Sequence, residues 1–380
     1  MSLEAAGDGS ETMKTVSPVI ACLILYLPAA ALPAELVITP PAAGAAVYVA
    51  EPVELQASWD AQAPAGATLL WKSSADGELG EGLRLRVAGL SYATHRITVQ
   101  AAAGDSVLAE AETVIYVFSR PEQFTLSERT DWQGEFNPRG TQVAYTSYRT
   151  GDPEIWIATV SNRNSERITY KGGMAPVWTP DGRRLAFWSD RGGNRDIWLV
   201  DIAEHQKNAI RVADSPAAEW MPAVNPLDGR ILFTAKQDRK LRLMVLDTAS
   251  PELPPVEVVG PEHYPMFGRW FPNGKDILFT SYRDTIPVVC RYSADSGEVK
   301  PVSRPGAEDA DVSPDGRRIA LVRGGEIWLV DLAGGAERPL TADRAGALDP
   351  RFSPDGMSLL YASTRSGNYD LWLLTLPSPQ

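Results

Sequence analysis

An all-β chain, a six-bladed β-propeller preceded by an immunoglobulin-like β-sandwich, is the fold class this sequence predicts, and three observations predict it. One short turn phrase recurs six times in the C-terminal two thirds, alternating apolar runs follow each copy, and a shorter set of β-rich runs without that phrase lies ahead of them. The phrase is Pro-Asp-Gly, or a close variant, after an apolar and a small polar residue. Its prolines are Pro138, Pro180, Pro226, Pro272, Pro314 and Pro354, separated by 42, 46, 46, 42 and 40 residues. That period belongs to propeller blades rather than to helical repeats.

Each repeat reads as a four-stranded antiparallel meander. Proline presets φ for the second position of a tight turn and glycine accepts the left-handed position that follows. Next come an alternating run such as Arg184–Ser189 or Ser358–Ser363, a Gly/Asn/Arg-rich turn, and a second run carrying Ile-Trp or Leu-Trp at Trp198, Trp328 and Trp372. A short third run, such as Arg338-Pro339-Leu340-Thr341, ends the unit. One meander cannot bury both its faces, whereas six arranged radially bury each face on a neighbour. The last repeat ends without a fourth strand of its own, and Phe124-Thr125-Leu126-Ser127 reads like one. Residues 122–127 are therefore expected to complete it and close the ring.

The stretch from Trp178 through Trp198, with its turn, arginine and Ile-Trp at fixed offsets, resembles the TolB-type propeller repeat, and the resemblance covers about 119–376. It implies a WD40-like PD40 propeller. The repeat occurs in a periplasmic translocation scaffold, in peptidase-associated propellers and in secreted proteins, so fold alone does not name the chemistry. The α/β domain that TolB carries before its propeller is not visible in this sequence.

Ahead of the repeats, Met13-Lys14 is followed by an apolar run from Val16 to Ala31 and by small residues to Ala34. This reads as a secretory signal peptide over residues 1–34, with translation starting at Met13. An uncleaved anchor is the rival reading, opposed by Pro28 and Pro33 and by a run shorter than about 20 residues. A lipobox ending at Cys22 is the third. Removal of the leader leaves Cys290 alone, with no intramolecular disulfide. Cys290 stands where other repeats have tryptophan and reads as a small buried residue.

Residues 35–118 form the smaller unit. Runs over 53–59, 68–73, 83–87, 94–101 and 112–118 suggest a disulfide-free sandwich with Trp71 at its centre. Leu90 to Thr98 resembles a segment found in bacterial immunoglobulin-like modules, which act as spacers or adhesion platforms. Arg120-Pro121 marks a short join with little expected swing. The unit holds ten acids and four bases, net −6 of the chain's −12. An acidic chain repels phosphate backbones and anionic lipid, so neither nucleic acid nor stable membrane insertion of the mature chain is expected.

Catalytic constellations are scarce. No Gly-x-Ser-x-Gly elbow, phosphate-binding glycine loop, His-Glu-x-x-His helix or EF-hand spacing is present, and no cofactor or metal is implied. Of the three histidines, His95 lies in the sandwich and His205 in a blade turn. His263 precedes an innermost strand and so faces the mouth of the ring.

Candidate binding residues come from what the repeat does not use. Trp156, Trp178, Trp198, Trp270, Trp328 and Trp372 occupy repeat positions and read as inter-blade core. Trp132 and Trp220 stand six residues before the repeat proline, where the other copies have Met174, Met266, Glu308 and Leu348. These connections converge round the axis beside Asp131, Glu219, Asp309 and Asp349. Aromatic and Met residues next to polar groups suit an interface hot spot or a ligand mouth. The alternative is that they plug the channel. A second ring consists of Arg149, Arg191, Lys236, Arg283, Arg323 and Arg365, one cation per repeat. It either pairs with the carboxylates opening the third strand (Glu154, Asp196, Glu326, Asp370) or forms a basic collar for an anionic peptide or glycan. Glu135, Arg269, Asp311 and Arg351, three residues before the prolines, are placed to line the channel.

The function expected is that of a secreted, periplasmic or extracellular interaction protein, non-enzymatic, binding a protein or peptide of the cell envelope through the propeller's loop face. The alternatives are an envelope enzyme acting on polysaccharide or peptide, with His263, Glu308 and Asp309 as acid/base groups, and a glycan-binding module.

Overall fold

The computed structural model describes residues 35–59, 65–204, 209–213, 215–342 and 344–376. The expected signal segment, with Met13 and Cys22, and His205 lie outside them. Within the described residues the fold is all-β, with one short 3-10 turn at Pro261–His263, and no helix is long and apolar enough to cross a membrane.

The N-terminal strands make two sheets. Val53–Trp59 pairs with Leu36–Ile38 on one side and Arg84–Val87 on the other. A second sheet runs Ala45–Tyr48, Ser106–Phe118, Thr94–Ala103, Thr68–Ser73, Gly77–Glu81. Their facing residues, among them Leu55, Leu69, Ile97, Val99, Ile115 and Val117, enclose Trp71, which is fully buried and donates its indole N–H to the Gly82 carbonyl at 2.8 Å. Alternation along Thr94–Ala103 fixes this register, since every second side chain faces the core. His95 is sealed in at 0% exposure, its Nδ1 2.7 Å from Ser73 Oγ and its Nε2 2.8 Å from the Ser91 carbonyl. It pins the loop that carries Tyr92.

Six four-stranded antiparallel sheets follow. Their innermost strands are Asp131–Phe136, Met174–Trp178, Ala218–Val224, Pro265–Trp270, Ala307–Val312 and Leu348–Phe352. Each innermost strand packs against the next, and the last packs against the first. Between neighbouring sheets lie separate apolar layers, for example Ala144, Ile155, Ile168, Trp178, Leu185 and Phe187 between the first and second. Trp178 and Trp270 tie adjacent sheets further, donating to the Glu135 and Ala223 carbonyls at 3.1 and 3.2 Å.

The sixth sheet is completed from the other end of the chain. Gln123 pairs with Trp372 and Glu122 with Leu373, and the Phe124 and Thr125 amides both donate to the Leu371 carbonyl, at 2.7 and 3.3 Å. The expected closing segment of 122–127 is thus observed over 122–125; Leu126 turns out to solvent at 85% exposure.

The turn phrase forms one collar. Thr179 and Ser353 donate to Asp181 and Asp355 at 2.6 Å, while each hydroxyl accepts the amide five residues on. The glycines at 140, 182, 316 and 356, all at positive φ, lie over the proline of the preceding turn. A Cβ at Gly140 would stand 3.6 Å from Pro354, so the collar crosses the same seam as the closing strand.

The sandwich meets the ring near this seam, at the collar end. Tyr92 packs against the apolar cluster between the fifth and sixth sheets, Arg338 lies 5.5 Å from its ring centre, and Ser119 Oγ donates to the Thr375 carbonyl at 2.6 Å. Arg120 bonds Glu51 and lies over Tyr48. Among the described residues, the sandwich meets the ring at this end and not at the mouth.

Candidate functional site

All six innermost strands begin with the same irregularity. The register with the second strand shifts between Trp132 and Glu135, Met174 and Val177, Trp220 and Ala223, Met266 and Arg269, Glu308 and Asp311, Leu348 and Arg351. At each shift a non-glycine residue takes a positive φ: Gln133, Ala175, Met221, Phe267, Asp309 and Asp349, between 43° and 55°. Such a conformation costs about 1–2 kcal/mol per residue and persists only where the surroundings fix it. The bulge turns these six residues into the axis and leaves Trp132, Met174, Trp220, Met266, Glu308 and Leu348 half-buried on the rim.

Neighbouring strands hold the bulges in place. Thr146 Oγ1 accepts the Ala175 amide at 3.0 Å and Thr280 Oγ1 the Asp309 amide at 3.1 Å, each across a sheet boundary. Asp309 in turn accepts the Asp349 amide at 2.8 Å.

The axial cavity is lined by Ala175, Pro176, Val177, Met221, Pro222 and Phe267 on one side and by Gln133, Glu135, Asp349 and Arg351 on the other, with Arg269 between. It leaves about 20 Å³ for the centres of water-sized molecules, room for about one water. Side chains therefore constrict the channel at this level, and they are the residues at and just after the bulges, not the Trp132, Met174, Trp220 and Met266 that the sequence offered as its plug.

The charged residues expected at this level do meet. Arg351, only 5% exposed, lies 3.5 Å from Glu135, 3.5 Å from Asp309 and 3.9 Å from Asp349. Burial pulls its pKa down, but the carboxyls of Asp309, Asp311, Asp349 and Glu135 outweigh that and hold it above the ordinary arginine value. Burial, reinforced by Asp309, pushes the Asp349 carboxyl up to about 8. Burial also raises Glu135 and Asp311 and lowers Arg269.

On the rim, Glu308 accepts from the Tyr282 hydroxyl, whose pKa burial and that carboxylate both raise. Trp132 forms an aromatic group with Tyr148 and Tyr369, each ring centre 6.3 Å away. His263 sits on the 3-10 turn with its ring edge-on to Phe279 at 6.0 Å and its Nε2 3.6 Å from Glu262. Among the described residues no hydrogen bond or ion pair joins it to Glu308 or Asp309. No group of three or more His, Cys, Asp or Glu among the described residues is arranged to hold a metal.

Four cations of the ring stack on aromatic faces, where one expectation had them pair with the carboxylates opening the third strand. Arg149, Arg191, Arg323 and Arg365 lie over the third-strand tryptophans Trp156, Trp198, Trp328 and Trp372, at 4.4, 5.1, 5.1 and 4.9 Å. The carboxylates opening the third strand pair instead with the fourth strand or the loop after it: Glu154 with Arg167 at 2.8 Å, Asp196 with Arg211 at 3.2 Å, Glu326 with Thr341. The guanidinium thus takes the ring face, while Glu154 and Asp196, both buried, are taken by the fourth-strand arginines. Arg149 additionally meets Asp131 at 3.1 Å. Where the tryptophan position holds Met244 or Cys290, the cation is Lys236 or Arg283, and both are exposed. Cys290 is buried, and burial pushes its thiol up to about 11, which leaves it protonated and inert at neutral pH.

The rim aromatics, the unstacked cations and His263 were all nameable from sequence. The bulge was not, because Gln, Ala, Met, Phe and Asp share no conformational preference. The signal lay one residue on, where Gly134, Pro176, Pro222, Gly268, Ala310 and Pro350 are all small or proline.

Comparison with known proteins adds the following. Residues 119–265 match the model of the TolB beta propeller domain, PD40. The Tol-Pal system protein TolB of Anaeromyxobacter dehalogenans is 36% identical over 90 residues, which is 22% of this chain and 21% of that protein. The chain thus spans about a fifth of the length of the curated relatives it matches. Among solved structures, one described as a TolB from Agrobacterium tumefaciens superposes with a TM-score of 0.53 at 16% identity, over 67% of this chain and 93% of that one. A gluconolactonase from Xanthomonas campestris gives 0.54 at 13%, over 68% and 89%. At these identities the structural likeness speaks for the fold alone. The chain contains a TolB-type β-propeller domain; it is TolB-like rather than TolB itself.

Proposed function

We propose that the chain is a six-bladed TolB-type propeller, residues 119–376, carried behind an immunoglobulin-like spacer, residues 35–118, and exported by the segment 1–34 to the periplasm or beyond. Its role is that of a non-enzymatic scaffold of the cell envelope, which captures a protein or peptide on the rim formed by Trp132, Met174, Trp220, Met266, Glu308 and Leu348. The observation that carries this reading is the rim itself: six bulges hold aromatic, Met and acidic side chains half-buried round a channel with space for about one water. Surfaces of that composition bind by burying a few large anchors. The sandwich, resting at the collar end, leaves this rim accessible.

An envelope enzyme draws less support, because the constricted channel offers little room for a substrate and His263 packs against Phe279. A glycan-binding module would use the same aromatics.

Alanine at Trp132 and Trp220 tests the proposal. Capture of a partner from envelope extract by the mature protein should fall at least tenfold, the ratio about 1.4 kcal/mol corresponds to, with the melting temperature within a few degrees of wild type. Equal capture by the double variant would refute the rim as the binding surface.

A further inference from the structure

Four cations of the ring are locked over tryptophans, and two are not. Lys236 and Arg283 stand on adjacent sheets, the third and fourth, where Met244 and Cys290 replace the aromatic partner. A stacked guanidinium is held by the ring face and less free to meet a ligand; an unstacked one on a flexible stem can reach out. Lys236 is exposed and the Arg283 side chain is 60% exposed, with Asp284 as its one nearby acid, 3.5 Å away.

The third sheet also departs from the others in its second turn. Its strands Ile231–Gln237 and Lys240–Leu246 are paired out to Gln237 and Lys240, so a two-residue hairpin projects at the mouth end. Its tip residues, Asp238 and Arg239, both have positive φ, 51° and 63°. That is the geometry in which Asn-Gly or Asp-Gly is preferred, so an arginine there is held at a conformational cost. Lys236, Arg239 and Lys240 are all exposed, and none is in an ion pair among the described residues. The acids of these two sheets at the mouth end are Asp238 within the hairpin, Glu219 on the strand paired with that of Lys236, Glu262 and Asp284; Glu219 is buried and the other three are exposed. On these same two sheets the mouth is most apolar, with Trp220 and Met266 half-buried on the rim, Met221 and Phe267 half-buried in the channel beneath them, and Tyr264 39% exposed.

We infer that the third and fourth sheets form the half of the rim that takes an acidic peptide segment: apolar side chains settle on Trp220 and Met266, over the channel mouth that Met221 and Phe267 fill, and flanking carboxylates meet Lys236, Arg239, Lys240 and Arg283. This deepens the rim-binding reading and rests on it. Contiguous apolar anchors beside cations suit alternating Leu/Trp and Glu side chains better than a sugar chain. On a chain of net charge −12, a local positive edge also orients an acidic partner that the rest of the surface repels.

The test is fluorescence anisotropy of the full chain with two labelled synthetic peptides, identical in Leu and Trp, one carrying Glu and the other Lys. An oligosaccharide of uronic acids serves as competitor. The Glu peptide should bind and the Lys peptide should bind at least fivefold more weakly, a gap that narrows in 0.5 M salt as screening demands. The double reversal Lys236→Glu, Arg283→Glu should invert the preference without moving the melting temperature, since neither side chain is packed. Equal binding of the two peptides, an unchanged preference in the reversal, binding of neither, or displacement by the oligosaccharide would each overturn the inference. Trp220→Ala separates the two readings. If it abolishes binding while the reversal does nothing, the rim stands and its acidic specificity falls. If the reversal acts and Trp220→Ala and Trp132→Ala do not, the rim reading falls instead.

Discussion

At Asp349 the ordinary behaviour of a carboxyl is reversed. Burial and Asp309 push its pKa up to about 8, against about 3.9 in an unfolded chain. The folded state therefore keeps a proton that the unfolded state gives up, and stability falls as pH rises from about 4 to about 8, then levels off. Glu135 and Asp311, raised by burial, add slopes of the same sign. Asp349→Asn supplies a neutral group permanently. Its denaturation midpoint should match wild type below about pH 4, where the carboxyl is neutral in both states, exceed it above about pH 8, and decline less between the two; equal slopes in urea titrations at pH 4, 7 and 9 would refute the assignment. Sequence placed Asp349, Glu135, Asp311 and Arg351 round the axis through their offset from the repeat proline. It did not reveal that four carboxyls surround two guanidiniums at one level, because that depends on how far each strand turns inward.

Among elements, the closing strand is the most exposed to test. Two residues, Glu122 and Gln123, supply its ladder, aided by the Phe124 and Thr125 amides and by Thr125 Oγ1, 3.2 Å from Asp370. Phe124 is buried between the sixth and first sheets. Replacing residues 122–125 by Gly-Ser repeats should remove the single cooperative transition and speed amide exchange along Asp370–Thr375, the strand left without its outer partner. Unaltered exchange there would mean the seam is held by the collar alone. This element was legible because its sequence repeats the fourth strand of other units. The sandwich strands Leu36–Ile38, Ala45–Tyr48 and Gly77–Glu81 were not: they are edge strands of three to five residues whose apolar faces are shared with loops. The cation–tryptophan stacks were written in the sequence too, as Arg149 with Trp156 and Arg191 with Trp198, but a carboxylate at the head of the same strand offered an equally reasonable partner.

For the molecule as a whole, the six turn phrases at 40–46-residue spacing were enough to foresee six four-stranded sheets. They could not foresee which end the sandwich would occupy. That follows from Tyr92, held by His95 through the Ser91 carbonyl and seated beneath Arg338. With the collar end partly covered there, the rim is the face we propose for recognition. The most direct measurement places a photo-activated benzophenone side chain at Trp220 or at Asp315, in the collar, and maps the adducts formed with envelope proteins. The account predicts one dominant adduct from position 220, lost on adding excess unlabelled protein, and none from position 315. Adducts of equal yield at both positions, or at the collar alone, would contradict it.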